Sequence, residues 1–373
     1  MTDDNAKYWL AFASIEKIGS AFIKKIFSHL GSIKSAWCAG FDDLAQIEGI
    51  TKRQIEDFLE IRNRTNPDEC FEYINKKNIK YINYTDAEYP YLLKQIFSPP
   101  MTLFYKGDLS RCNFDRTLAI VGSRKASETA KTILSKIIDE FKSTDICVVS
   151  GLASGIDSCA HKAAIKNNLS TIGVIASGFD FVYPTQNKNL YEKIEKESGV
   201  IFSEYWPSFQ PLTWRFPHRN RIVTGLSKGT LVAEAAIKSG ALISANLCLE
   251  QNRELMCIPG LLTNPNTAGI YKLIKNGAAV ITRAQDILDT LNWEIKSSNL
   301  KQDNIANSEE YNLSTDEKTI FELIAIEPKT LDSIAATTGL DFNTLMVALT
   351  ELELKGCIKQ TDGEKYISTI NNG

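Results

Sequence analysis

The chain is poor in histidine, in paired cysteines and in long apolar runs, and each shortage removes a class of function. Only three histidines occur in 373 residues, His29, His161 and His218. None belongs to an H-E-x-x-H pair, so the usual spacing of a zinc hydrolase is missing. The eight cysteines, at 38, 70, 112, 147, 159, 248, 257 and 357, are never closer than nine residues, which leaves no C-x-x-C pair for a metal or a redox centre. Cys147 stands inside the apolar run I-C-V-V. The set reads as small buried residues of a reducing cytoplasm rather than ligands or disulfides. No apolar run approaches the ~20 residues that span a bilayer, and the polar, acidic Met-Thr-Asp-Asp-Asn start is unlike a secretory signal. The nucleophile elbow G-x-S-x-G and the phosphate loop G-x-x-x-x-G-K-[ST] are absent too. The expectation is a cytoplasmic protein with no catalytic residues, no metal and no cofactor.

The formal net charge of −3 says little, but its distribution is uneven. Residues 1–80 carry 12 Lys and Arg against 12 Asp and Glu, residues 81–299 carry 24 against 20, and residues 300–373 carry 6 against 13. A polyanion would therefore meet its complement in the middle of the chain and repulsion at the end.

Four regions follow from periodicity and punctuation. Residues 1–79 read as all-helical, with apolar positions at helical spacing in Tyr8, Leu10, Phe12 and Ile15 and again from Phe22 to Leu30. Two short helices are expected around Gly49. They fit either a helix-hairpin-helix against a phosphate backbone or a plain bundle turn, since Lys52 and Arg53 alone supply charge there. Residues 80–292 alternate. A strand-like L-F-Y-K-G (103–107) is followed by apolar runs at 117–121, 146–149, 171–176, 200–203, 230–233, 255–258 and 278–281, with helical segments such as 126–142 and 158–167 between them. That order predicts an α/β fold with a large, mainly parallel sheet covered on both faces. Residues 293–312 are a polar linker. In 313–373, Ser314-Thr315-Asp316-Glu317 forms a capping box, helices follow over 330–340 and 342–355, and 356–367 reads as a hairpin with Asp362-Gly363 at its tip. This is the order of a winged helix-turn-helix.

Chemistry gathers in the second region. The apolar run 117–121 ends in Gly122-Ser123-Arg124-Lys125. A strand, a glycine turn and a helix make a natural anion site, because helix-terminal N–H groups point outward. Two fixed cations on that turn suit an exposed phosphate chain better than a pyrophosphate gripped by backbone. Further glycine turns follow at 149–157 and 176–180, and loops at one sheet edge can converge on one crevice. The most basic segment is W-R-F-P-H-R-N-R (214–221), where Arg215, His218, Arg219 and Arg221 fall within seven residues with Trp214 and Phe216 among them. Guanidinium forks grip phosphates and aromatic rings stack bases. Internal pairing of these arginines with Glu204 or Glu234 is the other reading. Asp157 and His161 lie one helical turn apart, which fits an acid–base pair or, with less chemistry, an aspartate at a helix start that steadies the histidine.

Seven segments, taken in order, resemble the signature blocks of the bacterial DNA-processing family DprA, also called Smf. They are G-S-R, V-S-G-L-A-S-G-I-D-S-C-A-H, Y-P-T-Q-N-K-N-L, F-S-E-Y, F-P-H-R-N-R-I-V-T-G-L-S, L-V-A-E-A-A-I-K-S-G-A-L-I-S-A and I-P-G. The resemblance implies an extended Rossmann-like domain with an N-terminal helical (SAM or helix-hairpin-helix-like) domain and a C-terminal winged helix. It also implies a non-enzymatic mediator of natural transformation. Such a protein binds single-stranded DNA, forms a homodimer through the Rossmann-like domain, protects incoming strands and loads the RecA recombinase onto them. Carried over residue by residue, the DNA contacts are Gly122, Ser123, Arg124 and Lys125, then Asn187 and Lys188, then Arg215, His218, Arg219, Asn220 and Arg221. Thr185 stands where the family often has a lysine.

Two other classes remain. A nucleotide-binding or nucleotide-cleaving enzyme of the phosphoribohydrolase type would use a P-G-G-x-G-T-x-x-E block. The chain has S-K-G-T-L-V-A-E-A (227–235), which keeps Gly229, Thr230 and Glu234 without the double glycine. A transcription regulator would need a cationic recognition helix, and 342–355 offers Lys355 against Glu351 and Glu353.

Overall fold

The computed structural model describes residues 5–142, 144–294, 313–326, 329–360 and 365–368. Two compact units divide at Ile295.

The first unit is built on nine strands: β1 (Lys80–Asn83), β2 (Thr102–Gly107), β3 (Thr117–Gly122), β4 (Cys147–Ser150), β5 (Ser170–Val174), β6 (Gly199–Ser203), β7 (Gly229–Glu234), β8 (Glu254–Cys257) and β9 (Ala279–Val280). Their spatial order is β1-β2-β6-β5-β4-β3-β7-β8-β9. From β6 to β9 every pairing is parallel, while β1 and β2 join antiparallel at one edge. The seven apolar runs of the sequence are these seven parallel strands. Those inside the sheet are apolar because both faces are covered, whereas the edge strand β9 leaves Val280 exposed. Along β3, Leu118 and Ile120 pack with helices Glu128–Asp139, Ile156–Lys166 and Ala284–Leu291 on one face. Ala119 and Val121 pack with helices Arg215–Gly225, Gly240–Glu250 and Ala268–Lys275 on the other. This is a Rossmann-like, doubly wound sheet.

Six helices between Ala6 and Lys77 precede the sheet. Trp9, Phe12, Phe22, Trp37 and Phe58 form their own core, with Phe12 and Phe58 stacked at 5.4 Å. They also pack on the sheet: Leu10 and Ile74 share a cluster with Phe104 and Trp206. The turn at Gly49 (φ +73°) joins Phe41–Ala45 to Lys52–Arg62, and its carbonyl accepts from Lys25 Nζ of the same bundle at 3.0 Å. No helix among the described residues is long and apolar enough to cross a membrane.

The second unit holds helices Thr315–Ile326, Leu331–Thr338 and Phe342–Leu354 with β10 (Lys329–Thr330), β11 (Ile358–Gln360) and β12 (Lys365–Ser368), in sheet order β10-β12-β11. This is a winged helix. The capping box forms, with Ser314 N donating to Glu317 at 2.5 Å and Glu317 N donating to Ser314 Oγ at 3.3 Å. Gly339 closes the second helix at φ +67°. The expected hairpin tip at Asp362-Gly363 lies outside the described residues.

Candidate functional site

Strand β3 has β4 on one side and β7 on the other, so the chain winds away from it in opposite directions. The carboxyl edge at such a switch point opens into a crevice. Here it is a cavity of about 600 Å³ lined by residues 121–125, Ala153, Asp157, Tyr183 and parts of 213–220 and 236–244.

Much of the backbone around the glycine turn is already engaged. Ser123 N donates to the Glu234 carbonyl at 2.9 Å, Lys125 N donates to Ser123 Oγ at 3.1 Å, and the Ser123 carbonyl accepts from Ile156 N at 3.2 Å. The helix that follows starts at Glu128, and its N-terminus is filled from inside the protein. Glu234 accepts from Ser127 N at 3.1 Å and from Ser127 Oγ at 2.7 Å, while Ser127 Oγ accepts from Ala130 N at 3.2 Å. A carboxylate therefore occupies the place where a Rossmann helix would take a pyrophosphate. What the turn offers instead is side-chain charge: Arg124 and Lys125 are exposed. The Arg124 guanidinium lies 4.9 Å from the Phe216 ring, which packs on Tyr183 at 5.3 Å. A side chain at Gly155 (φ +81°) would run into the Ser123 carbonyl, so this glycine lets the two loops close on each other.

The basic segment behaves differently. The helix begins at Arg215, and its three arginines are 1%, 3% and 7% exposed at Arg215, Arg219 and Arg221. Arg215 reaches Glu16 of the N-terminal helices and the Gln210 carbonyl. Arg221 pairs with Glu204 at 2.5 Å and donates to Ser20 Oγ at 3.2 Å. Arg219 donates to the Gly151 carbonyl at 2.6 Å and to that of Val174, tying the ends of β4 and β5. A Cβ on Gly151 would lie 2.5 Å from that guanidinium, so the glycine makes room for it. Burial pulls the Arg219 pKa down, opposed chiefly by Asp157. Burial also pushes the Glu204 carboxyl up, but Arg221 and His218 outweigh it and hold it below its ordinary value. The internal Arg–Glu reading thus holds for Arg221, through Glu204, whereas Glu234 serves the Ser127 cap.

The remaining sequence-nominated residues divide as well. Asn220 lines the cavity beside Arg219. His218 lies 3.1 Å from Glu204 and 3.2 Å from the Tyr205 hydroxyl, on the side facing the N-terminal helices. Asn187 is buried and donates to the carbonyls of Leu152 at 2.9 Å and Ala153 at 3.3 Å, bracing the 151–155 loop. Lys188, next to it, is exposed and lies outside the cavity lining.

One expectation is corrected outright: Asp157 does not hold His161. Asp157 accepts from Ala153 N at 3.3 Å, and His161 is held by Thr171 at 2.7 Å. The Thr171 hydroxyl donates to the Val148 carbonyl at 2.8 Å, so its oxygen accepts from His161 Nδ1–H, which assigns the tautomer. Burial, helped by Arg219, pushes the His161 pKa down to about 3, so the ring is neutral and structural. The sequence reading passed over Lys238, Ser239 and Gly240, which line the cavity at the start of helix Gly240–Glu250. A Ser-Gly pair before an apolar helical run was the available signal.

Comparisons with known proteins identify the family and the fold. The family model described as DNA recombination-mediator protein A matches residues 80–292, and the DprA winged helix domain matches residues 306–364. Protein Smf of Synechocystis is 32% identical, over 98% of this chain and 99% of that protein. DNA processing protein DprA of Bacillus subtilis is 41% identical, over 58% of this chain and 72% of that protein. The crystal structure of DNA processing protein A from Streptococcus pneumoniae superposes with a TM-score of 0.68 at 33% identity, over 76% of this chain and 97% of that one. A structure of Helicobacter pylori DNA processing protein A that bears on that protein's single-stranded DNA binding mode gives a TM-score of 0.51 at 29% identity, over 57% of this chain and 96% of that one.

Proposed function

The chain belongs to the DprA/Smf family of DNA recombination-mediator proteins, and on that premise we propose that it binds single-stranded DNA in the cleft at residues 122–125 and delivers it to recombination during natural transformation. In this reading it protects incoming strands, acts as a homodimer through the Rossmann-like domain and presents the bound strand to the RecA recombinase in the cytoplasm. The DNA-binding region is 80–292, flanked by the helical region 1–79, the linker 293–312 and the winged helix 313–373.

The observation that carries the reading is the exposed Arg124, propped on Phe216 at 4.9 Å, beside a helix terminus already filled by Glu234. A turn built this way grips charge with side chains that can follow a phosphate chain of any base sequence. The test is a salt titration of wild type and Arg124→Ala with single-stranded and duplex oligonucleotides. The expected result is weaker single-strand binding for every sequence and a flatter salt dependence. Unchanged binding would place the DNA elsewhere.

The phosphoribohydrolase reading draws support from the retained Gly229, Thr230 and Glu234. Against it, both Glu234 oxygens are engaged at the Ser127 cap, and Asn264 also donates to one of them at 3.4 Å. Release of free base from nucleoside monophosphates, lost in Glu234→Gln, would overturn the mediator reading.

A further inference from the structure

Residues 213–220 line two cavities. Thr213, Phe216 and Pro217 face the phosphate cleft, while Trp214, Arg215 and His218 face a second cavity of about 240 Å³. Trp9, Phe12, Lys17 and Phe209 are also in its wall, together with Glu16 and Glu204, whose carboxylates are paired with Arg215 and Arg221. The two spaces therefore meet across one turn of chain.

On the wall of the second cavity stands Trp214, 53% exposed. Tryptophan is rarely left so open without a partner, because its ring gains most from burial. It is nevertheless fixed from within. The Arg215 guanidinium lies 5.2 Å from the Trp214 ring, 5.0 Å from Phe209 and 4.8 Å from Tyr205. Arg215 is itself buried and anchored on Glu16. The His218 ring packs 6.3 Å away at a 56° tilt. An indole steadied by a buried cation, with much of its surface open, is a pre-ordered stacking platform: little side-chain freedom remains to be lost on binding. Lys17, exposed at the rim, supplies a cation for a neighbouring phosphate.

We propose that the Trp214 face, with the cavity behind it, is a base-stacking subsite for a nucleotide of the same single strand whose phosphates enter the 122–125 cleft. The proposal rests on the single-strand reading above and deepens it. Continuity selects the occupant: Trp214 is two residues along the chain from Phe216, the ring beneath Arg124, and stacking on an aromatic ring tolerates every base.

The experiment measures binding of fluorescent oligothymidylates by wild type, Trp214→Ala, Trp214→Phe and Arg124→Ala. Strand lengths run from about four to about sixteen nucleotides, the range of sites in single-strand binders. Within the longer strand, single abasic positions are scanned. Wild type is expected to lose affinity roughly ten-fold at one abasic position outside the cleft, the scale of a single lost base–aromatic stack. Trp214→Ala should bind the intact long strand roughly ten-fold more weakly, bind the shortest strand like wild type, and be insensitive to that abasic position. Trp214→Phe should recover most of the affinity. Equal binding of the long strand by wild type and Trp214→Ala would overturn the subsite, and so would an abasic penalty that survives in Trp214→Ala. Arg124→Ala tests the cleft separately. Loss at all lengths upholds the cleft whatever Trp214 does, and no loss removes the reading on which the subsite rests.

Discussion

Arg124 and Arg221 border the same edge of one sheet and meet opposite fates. Arg124 sits on an exposed turn, its guanidinium 4.9 Å from the Phe216 ring and open to solvent. Arg221 sits in the second turn of helix Arg215–Gly225, 7% exposed and paired with Glu204 at 2.5 Å. Sequence density of charge gave the second region more weight, with four basic side chains in seven residues. Availability runs the other way. The cation on the turn shares its cavity with Asp157 but stays exposed, whereas a helix wedged between a sheet and a bundle meets acids from both and buries its charges against them. Basic clusters therefore have to be read with the acids that the fold will carry to them.

The sharpest break in the comparison comes from its buried half. Arg221→Ala removes the guanidinium partner of the buried Glu204 carboxylate and leaves it His218 alone, which should cost about 3 kcal/mol in urea unfolding, the low end for breaking a buried pair. If it instead reduced DNA affinity at unchanged stability, the division between structural and binding arginines would be wrong. Next is His161, beneath Arg219. Its folded pKa of about 3 lies below the ordinary 6.5. The unfolded chain therefore binds more protons between those values, and stability is complete above about pH 6.5 and falls as pH drops through that window. The slope is at most about 1.4 kcal/mol per pH unit. His161→Gln, which keeps a donor for Thr171, should flatten the pH dependence of unfolding between pH 6.5 and 4, and an unaltered slope would mean the ring protonates in place. Smaller again is Arg124→Ala. Affinity should fall roughly ten-fold while stability moves by less than about 0.5 kcal/mol, the behaviour of an exposed side chain. Smallest of all, removing residues 300–373 should leave single-strand affinity within about two-fold. That stretch carries 6 basic against 13 acidic residues, and Lys355 is engaged with Glu317 at 2.6 Å. A large loss would move part of the DNA site into the winged helix.

The parallel sheet was legible because a strand buried on both faces must be apolar throughout, and the runs of its inner strands stood out, with the partly exposed edge strand β9 as the seventh. Strand β1, K-Y-I-N, did not. It is an edge strand pairing antiparallel, with only half its residues turned inward, and nothing local distinguishes it from loop. The winged helix was readable from the Ser314 capping box and from Gly339 at the left-handed end of its helix. Of the cleft, the 122–125 turn was visible as punctuation after a strand. The partners of the buried arginines were only partly visible. Glu204 lies in the neighbouring block, but Glu16 precedes Arg215 by 199 residues, a distance that no local pattern spans. Asn187 shows the same limit: the family resemblance assigned it to DNA, and the fold also applies its amide to two backbone carbonyls.

The bond from Arg215 to Glu16 also has a bearing on how this protein can be cut and how its relatives can vary. Residues 80–292 match the family model on their own, yet a fragment starting at residue 80 would keep a buried guanidinium and discard its counter-ion, along with the Ser20 hydroxyl that meets Arg221. Such a fragment would report a loosened 204–221 segment, and its DNA affinity would understate that of the whole chain. Among homologues, loss of the first two helices should therefore travel with loss of arginine at the position of Arg215, a pairing that sequence comparison across the family can read directly.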